Sequence, residues 1–248
     1  MIMNKILKSV QAELAASGLA LINGDKDFYS DEQYFASHKN QLNYLFKICQ
    51  KYFTPGAKFL DIGSSFGYPC LGAKLIGYDV YGLDSVSRVE KFSARFKHFG
   101  IENIVGDLAR KKSPFSSRKF DVILVSYVPE DVDHNPTKFF SEITRLLKPG
   151  GILIITAKNL LRLNNLAKIF LGQSRRPKTK VKQNSDYYCE FTATDLTYLL
   201  MKNGLNVENI KYRNFNNPGI AWLAKLINSL SGWILPHRKS SLVITARK

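Results

Sequence analysis

Two glycines and two aspartates lie in an order that suits the binding of a nucleotide. Gly63 and Gly67 stand between a short apolar run and a helix candidate, where a tight turn brings backbone amides close to a ligand. Asp61 lies near the end of that apolar run, and Asp84 ends the next one, 23 residues later. A carboxylate at the second place can accept both hydroxyls of a ribose. The spacing therefore predicts a cofactor that contains adenosine, against the alternative of a strand–helix turn without a ligand.

The glycine turn argues against a dinucleotide. It reads Gly63-Ser64-Ser65-Phe66-Gly67 and lacks the G-x-G-x-x-G spacing that leaves room for a pyrophosphate. Asp61 would repel a pyrophosphate, whereas its carboxylate suits an ammonium group. We therefore expect an adenosine cofactor with an ammonium group near the turn.

The apolar pattern around these residues predicts the scaffold that positions them. From 58 to 157, short apolar runs alternate with helix candidates. This alternation predicts an α/β fold with a parallel sheet that is covered on both faces. Such a sheet places the loops after its strands along one edge, where ligands bind. The expected strands are 58–62, 79–83, 101–105, 120–125 and 152–156, and the expected helices between them are 68–76, 87–97 and 136–147.

The flanking segments predict further helices and a different sheet edge. Two late strands without a parallel crossover, 207–213 and 241–246, indicate an antiparallel edge. Ile6, Val10, Leu14 and Leu19 have the spacing of an amphipathic helix. The other helix candidates are 35–53, 159–171, 193–203 and 219–235, and a basic loop is expected at 172–185.

The motifs, taken in order, resemble those of the class I S-adenosylmethionine-dependent methyltransferases. The run LDIGSSFG resembles the family's LDxGxGxG motif, with Ser65 in place of the middle glycine. The segment 106–108 (GDL) resembles the family's adenine-binding segment. The run FDVILV followed by Ser126 and Tyr127 resembles its fourth strand and the next loop, and LKPGG resembles the turn before its fifth strand.

That resemblance implies a fold, a cofactor and a set of site residues. The fold is a Rossmann-like, seven-stranded, mostly parallel sheet with an antiparallel edge strand and helices on both faces. A single domain over 1–248 would comprise a helical cap (1–57), a cofactor-binding core (58–157) and an acceptor and surface region with the last strands (158–248). The implied cofactor is S-adenosyl-L-methionine. Its binding residues would be Asp61, Gly63, Ser65 and Gly67 at the methionine end, Asp84 at the ribose, Asp107 and Leu108 at the adenine, and Ser126 beside the methionine end.

Few motifs in the sequence bear on the identity of the methyl acceptor. The run YYCEFT at 187–192 and the helix candidate after it resemble bacterial methyltransferases of small molecules, including some of polysaccharide and glycolipid synthesis. This implies transfer to a hydroxyl of a small or lipid-linked glycan-type acceptor, with Tyr187 or Tyr188 in its pocket. His134 is the candidate catalytic base, and a surface position at a helix entry is the alternative.

The charge of the chain indicates anionic partners. The net charge is +16, and residues 158–248 contribute +12 of it. Because Trp222 and Trp233 lie in an apolar segment of this basic region, contact with an anionic membrane surface is one expectation. An RNA-modifying methyltransferase is an alternative, but no RNA-binding module accompanies the charge. A non-catalytic, cofactor-binding partner subunit is a further alternative, and the oligomeric state stays open.

Composition predicts where the protein works. No apolar run reaches the roughly 18–20 residues of a membrane span, and no signal peptide is expected because Gln11 and Glu13 interrupt the first apolar segment. The three cysteines, Cys49, Cys70 and Cys189, are too far apart for a zinc knuckle, so we expect no metal. We expect a cytoplasmic protein, with peripheral contact at the inner face of the membrane.

Overall fold

A computed structural model of the protein describes residues 3–17, 30–132, 136–162, 165–166, 190–215, 237 and 239–248. The strands are β1 (Lys58–Ile62), β2 (Asp79–Asp84), β3 (Glu102–Val105), β4 (Phe120–Ser126), β5 (Leu147–Lys158), β6 (Asn206–Arg213) and β7 (Ser241–Arg247). The helices are α1 (Met3–Ala16), α2 (Asp31–Lys51), α3 (Tyr68–Ile76), α4 (Val86–His98), α5 (Pro136–Leu146) and α6 (Ala193–Lys202), with a short 3₁₀ helix at Pro129–Asp131.

The seven strands form a single mixed sheet in the order β3-β2-β1-β4-β5-β7-β6. Strands β1 to β5 run parallel to one another, and β7 is antiparallel to both β5 and β6. The predicted fold class, a mostly parallel sheet with an antiparallel edge, is confirmed. Because the strand order changes direction between β1 and β4, the loops after these strands diverge and leave a crevice at the carboxyl edge of the sheet.

Helices cover both faces of the sheet, so each face has its own apolar core. On one face, α1, α2 and α3 pack together and bury Phe59, Leu124 and Ile154. On the other face, α5 and α6 cover Leu60 and Ile123. Strands buried on both faces need apolar residues at successive positions, which explains the unbroken apolar runs of β1, β4 and β5.

Helix α2 begins four residues before the expected start at 35, because its first turn is capped. Ser30 Oγ accepts a hydrogen bond from the Gln33 amide at 3.2 Å, and the Gln33 side chain accepts one from the Ser30 amide at 3.0 Å. This capping box satisfies amides that the first turn of a helix leaves free. A buried ion pair then joins Asp31 to Arg95 of α4 at 2.7 Å. The first turn of α2 is thereby held against the element that follows β2.

The structure differs from the sequence expectations in two further places. Strand β5 is longer than the expected 152–156, because Leu147 pairs with Phe120 before a register shift that accommodates Pro149 and Gly150. The helix expected from 159 is wrong at its start, since Asn159 forms a bridge with Phe191 and a turn follows. The basic loop at 172–185 and the helix candidate at 219–235 lie outside the described residues, as does Leu19.

Among the residues that the structure describes, no helix is long and apolar enough to cross a membrane.

Candidate functional site

A cavity of about 700 Å³ opens at the carboxyl edge of the sheet, where the loops after β1, β2, β3 and β4 meet. Helix α2 forms its far wall. Six of the predicted cofactor residues line it, namely Gly63, Ser65, Asp84, Asp107, Leu108 and Ser126. Asp61 and Gly67 flank the turn but are not part of the lining, and His134 lies outside the described residues.

The glycine turn needs glycine at its first position. Gly63 has φ +78, a left-handed conformation that side chains with a Cβ rarely adopt. A Cβ on Gly63 would also lie 2.3 Å from Cγ2 of Val128. The Gly63 amide donates to the Leu83 carbonyl at 2.8 Å, which ties the turn to β2. The turn therefore brings backbone, rather than side chain, up to the cavity.

Ser65 and Asp84 connect the glycine turn to the end of β2. The Ser65 amide donates to Oδ2 of Asp84 at 2.7 Å, and the Ser85 amide donates to Oδ1 at 2.7 Å. A carboxylate offers about four acceptor sites, so Asp84 can still accept two ribose hydroxyls. Ser65 itself has φ +40, and its hydroxyl accepts from Arg88 Nη1 at 2.9 Å. Ser65 thus adopts a backbone conformation that favours glycine, and it stands at the position where the family motif has a glycine.

Asp107 and Leu108 form the floor of the cavity after β3. Oδ1 of Asp107 accepts from the Ala109 amide at 3.0 Å, and Oδ2 lies 3.3 Å from Nε of Arg110. These contacts fix the carboxylate at the cavity edge while its side chain stays half exposed. Leu108 is buried beside it and presents an apolar surface. A carboxylate next to an apolar floor suits an adenine ring with its exocyclic amine.

Asp61 is a buried carboxyl group with an unsatisfied oxygen. Oδ2 accepts a hydrogen bond from the Cys70 thiol at 3.5 Å, and Oδ1 has no hydrogen-bond partner within the described residues. Burial raises the pKa of Asp61 to about 8, and the hydrogen bond from the Cys70 thiol lowers it only in part. A buried acceptor without a donor fits a ligand that brings its own positive charge, such as an ammonium group. Asp61 therefore fits the methionine end of the cofactor, and the next residue, Ile62, lines the cavity.

A polar network joins helix α2 to the sheet on the opposite side of the cavity. Nε2 of Gln41 donates to Ser126 Oγ at 2.7 Å, and the Ser126 and Thr156 hydroxyls lie 3.0 Å apart. Gln41 and Thr156 are buried. Ser126, which the sequence assigned to the methionine end, thus also anchors α2 across the ends of β4 and β5.

One face of α2 forms a cavity wall that was not predicted from the sequence. Tyr34, His38 and Gln41 all line the cavity. They are spaced at i, i+4 and i+7, which places them on one side of a helix. The Tyr34 ring stacks on His38 at 4.2 Å between centroids and on Phe66 of the glycine turn at 4.4 Å. Tyr127, with its hydroxyl 2.8 Å from Ser241 Oγ, faces the same end.

Arg88 of α4 is another lining residue that sequence reasoning missed. The spacing of Tyr34, His38 and Gln41 was visible in the sequence, but nothing in the sequence connected that face to the strand ends. The connection comes from long-range contacts such as the bond from Gln41 to Ser126, 85 residues apart.

Comparisons with known proteins point to the family that the sequence motifs resemble. Residues 60–155 match a family described as Methyltransferase domain. A demethylmenaquinone methyltransferase of Tropheryma whipplei is 32% identical over 103 residues, which span 41% of this chain and 42% of that protein. A ubiquinone biosynthesis O-methyltransferase of Cereibacter sphaeroides is 27% identical over 173 residues, 67% of each chain. The chain therefore spans less than half of the first relative and two thirds of the second.

Solved structures show the same fold. An S-adenosylmethionine-dependent methyltransferase from Methanosarcina mazei superposes with a TM-score of 0.62 at 19% identity, covering 81% of this chain and 96% of that one. One from Mesorhizobium loti gives 0.58 at 18% identity, covering 82% and 96%. The fold and the family together imply S-adenosyl-L-methionine as the cofactor. Over residues 60–155 the chain thus matches a methyltransferase domain, and its fold is that of S-adenosylmethionine-dependent methyltransferases.

Proposed function

We propose that the protein transfers the methyl group of S-adenosylmethionine to a hydroxyl oxygen of a small acceptor whose ring carries apolar substituents. The observation that carries this proposal is the shape of the cavity. It runs without interruption from Asp84 and Asp107 to the aromatic wall of Tyr34 and Tyr127. Cofactor and acceptor can therefore share one space, which methyl transfer requires.

Different residues of the chain bind different parts of the cofactor. When bound, S-adenosylmethionine supplies an electrophilic methyl group on a positively charged sulfur. Asp84 accepts the ribose hydroxyls, Asp107 the adenine amine, and Asp61 the ammonium group. Gly63 lets the backbone approach the ligand. Positioning of this kind, together with the exclusion of water, supplies most of the acceleration of an in-line transfer.

The aromatic wall favours a planar, apolar acceptor. Within this wall Tyr34 stacks on both His38 and Phe66, so these three rings form a continuous stack. Flat apolar molecules gain from offset stacking and from burial against such a surface. A glycan-type acceptor, which the sequence suggested, would present less flat apolar surface to these rings.

The names of the relatives support the same choice. The Cereibacter protein is named for O-methylation in ubiquinone biosynthesis, and the Tropheryma protein for methylation of demethylmenaquinone. Both names concern rings with apolar substituents. We infer a lipid-like ring acceptor for this chain, and we retain contact with an anionic membrane surface as part of the proposal, since such acceptors partition into membranes.

Methyl-labelled S-adenosylmethionine tests the proposal with three acceptors: hexylcatechol, octyl glucoside and bulk RNA. The matched control is Asp84→Ala, which removes the ribose acceptor but leaves the aromatic wall. We expect label on hexylcatechol with the wild type, and at least tenfold less with the variant. Label on octyl glucoside or RNA in preference to hexylcatechol would overturn the ring acceptor. Absence of label from all three would overturn the proposed activity on hydroxyls.

A further inference from the structure

We propose that His38 is the general base of this reaction and that its Nε2 atom accepts the proton of the acceptor hydroxyl. The proposal rests on the hydroxyl acceptor inferred above. It assigns the proton transfer to helix α2 instead of the loop after β4, where the sequence placed the candidate base.

The hydrogen bonds of His38 fix which ring nitrogen carries the proton. Nδ1 lies 2.8 Å from the Tyr34 carbonyl oxygen and 2.8 Å from Ser37 Oγ. A carbonyl oxygen only accepts hydrogen bonds, so Nδ1 must be the donor. The Ser37 hydroxyl donates to the Gln33 carbonyl at 2.7 Å, which leaves its oxygen free to accept as well. The neutral ring therefore carries its lone pair on Nε2.

The imidazole ring is held in place from two directions. Its Nδ1–H is bound to the backbone of its own helix, one turn earlier. Its face stacks on Tyr34 with an angle of 15° between the ring planes. Within the described residues Nε2 makes no hydrogen bond, and His38 lines the cavity. A base that is oriented by a second group and open to the acceptor matches the usual geometry of general-base catalysis.

The surroundings of His38 favour its neutral form. Burial lowers its pKa, the Tyr34 carbonyl opposes this, and the positive charge of Lys158 lowers it further. The hydroxyls of Tyr34 and Tyr127 stay protonated because burial raises their pKa, that of Tyr127 to about 12. The same cavity is lined by four further charged groups: Asp84 ends β2, Arg88 lies on α4, and Asp107 and Arg110 follow β3.

Other candidate bases in the described part of the chain are badly placed. His98 is exposed on α4, and His237 packs edge-on against Tyr212. Neither residue lines the cavity. Asp61 is buried beside the glycine turn, where the proposed function assigns its carboxyl to the ammonium group. His38 is thus the described imidazole that an acceptor in the cavity can reach.

The acceptor hydroxyl gives its proton to Nε2 of His38, and its oxygen forms a bond to the methyl carbon. The bond between that carbon and sulfur breaks, and its electron pair remains on the sulfur, which becomes neutral. The imidazolium then returns its proton to solvent, so the enzyme ends unchanged.

The substitution His38→Asn tests this role, because the Asn amide can still donate to the Tyr34 carbonyl but cannot accept a proton. We expect kcat for hexylcatechol to fall by about 10²–10⁴-fold, with the affinity for S-adenosylhomocysteine within about twofold of wild type. The wild-type rate should rise with pH and level off above the His38 pKa, and the variant should lack this acidic limb. His98→Asn is the matched control and should leave both quantities unchanged.

Nitrogen NMR of the wild-type imidazoles supplies a test that needs no acceptor. With S-adenosylhomocysteine bound at neutral pH, His38 should be neutral with the proton on Nδ1. A proton on Nε2, or an unchanged kcat in His38→Asn, would overturn the base while leaving the methyltransferase activity standing. Absence of transfer by the wild type together with the expected tautomer would contradict the proposed function and leave the assignment of the lone pair intact.

Discussion

The Ser65 amide donates a 2.7 Å hydrogen bond to Oδ2 of Asp84, so the acid expected to hold the ribose also fixes the turn expected to hold the methionine end. The two loops are therefore coupled by a direct hydrogen bond. Removing the carboxylate should loosen the turn as well as lose the ribose contacts. This coupling makes Asp84 the most informative single position in the adenosine half of the site.

The substitution Asp84→Ala should weaken binding of S-adenosylhomocysteine. We expect a loss of about 1–3 kcal/mol, the usual cost of losing a hydrogen bond to a charged group. Calorimetric titration measures it. Asp79→Ala is the control on the same strand, because Asp79 begins β2 and pairs with Lys58 away from the cavity. Equal affinities for wild type and Asp84→Ala would show that the ribose does not bind there.

Binding of S-adenosylhomocysteine should depend on pH through Asp61. Burial raises the pKa of Asp61 to about 8, so the free protein carries a neutral carboxyl at neutral pH. The ammonium group favours the ionised form, so affinity should rise by up to about tenfold per pH unit below this pKa and then level off. Asp61→Asn should remove the dependence. A flat profile in the wild type would exclude Asp61 as the ammonium acceptor.

The same carboxyl should make the free protein less stable in alkaline solution. A pKa raised in the folded state means that the folded protein binds more protons than the unfolded chain. The contribution of this carboxyl to the free energy of unfolding is fully present below its pKa in the unfolded chain. It is lost as the pH rises through its folded-state pKa of about 8. Urea unfolding should therefore show that Asp61→Asn is more stable than wild type above this pH and closer to it in acid. A wild type that gains stability on going from acid to alkaline pH relative to the variant would contradict the burial of Asp61.

The ion pair between Asp31 and Arg95 should contribute to stability far more than an exposed pair. Arg95 donates to both carboxylate oxygens of Asp31, at 2.9 and 2.7 Å, and to the Phe66 carbonyl at 2.9 Å. Arg95→Met leaves a buried carboxylate without its partner and should cost about 3–5 kcal/mol in the free energy of unfolding. Breaking the exposed pair with Lys58→Met should cost less than about 1 kcal/mol. Similar costs for both variants would show that the Asp31 pair is solvated.

Gly63→Ala should impair cofactor binding for two reasons, a steric contact and backbone strain. A second substitution can separate them. The new Cβ would meet Val128 Cγ2 at 2.3 Å and would also occupy a left-handed conformation. Val128→Ala removes the contact but not the backbone strain. We therefore expect the double variant to recover part of the lost affinity for S-adenosylhomocysteine. Full recovery would indicate that the conformation of residue 63 is unimportant.

The sequence predicted the sheet well because its signals are local. Strand β1 and helix α3 match their expected bounds, since an apolar run and the following turn are both visible in the sequence. The start of α2 was missed although Ser30 and Gln33 form a recognisable capping pattern. The antiparallel edge was also predicted from the two late strands, and β7 pairs antiparallel with both β5 and β6.

The candidate site was predictable only in its adenosine half. Glycines and acids at strand ends have fixed spacings, so Gly63 and Asp84 could be found by counting. His38 could not, because it reaches the cavity through the packing of α2 on the sheet, which depends on contacts such as Gln41 with Ser126. Asp61 was predicted from the sequence, but its side chain does not line the cavity and contacts Cys70 instead. Successive side chains of a strand point to opposite faces, so Asp61 and the next residue, Ile62, lie on different faces of the sheet.

A crystal structure of the complex with S-adenosylhomocysteine would locate the cofactor in the cavity. We expect ribose hydroxyls within hydrogen-bonding distance of the Asp84 carboxylate, about 2.7 Å, and the adenine beside Asp107 and Leu108. We also expect the sulfur at the end of the cavity formed by Tyr34, His38 and Tyr127. A ligand bound elsewhere, or one bound with its sulfur turned away from α2, would contradict this placement of the cofactor.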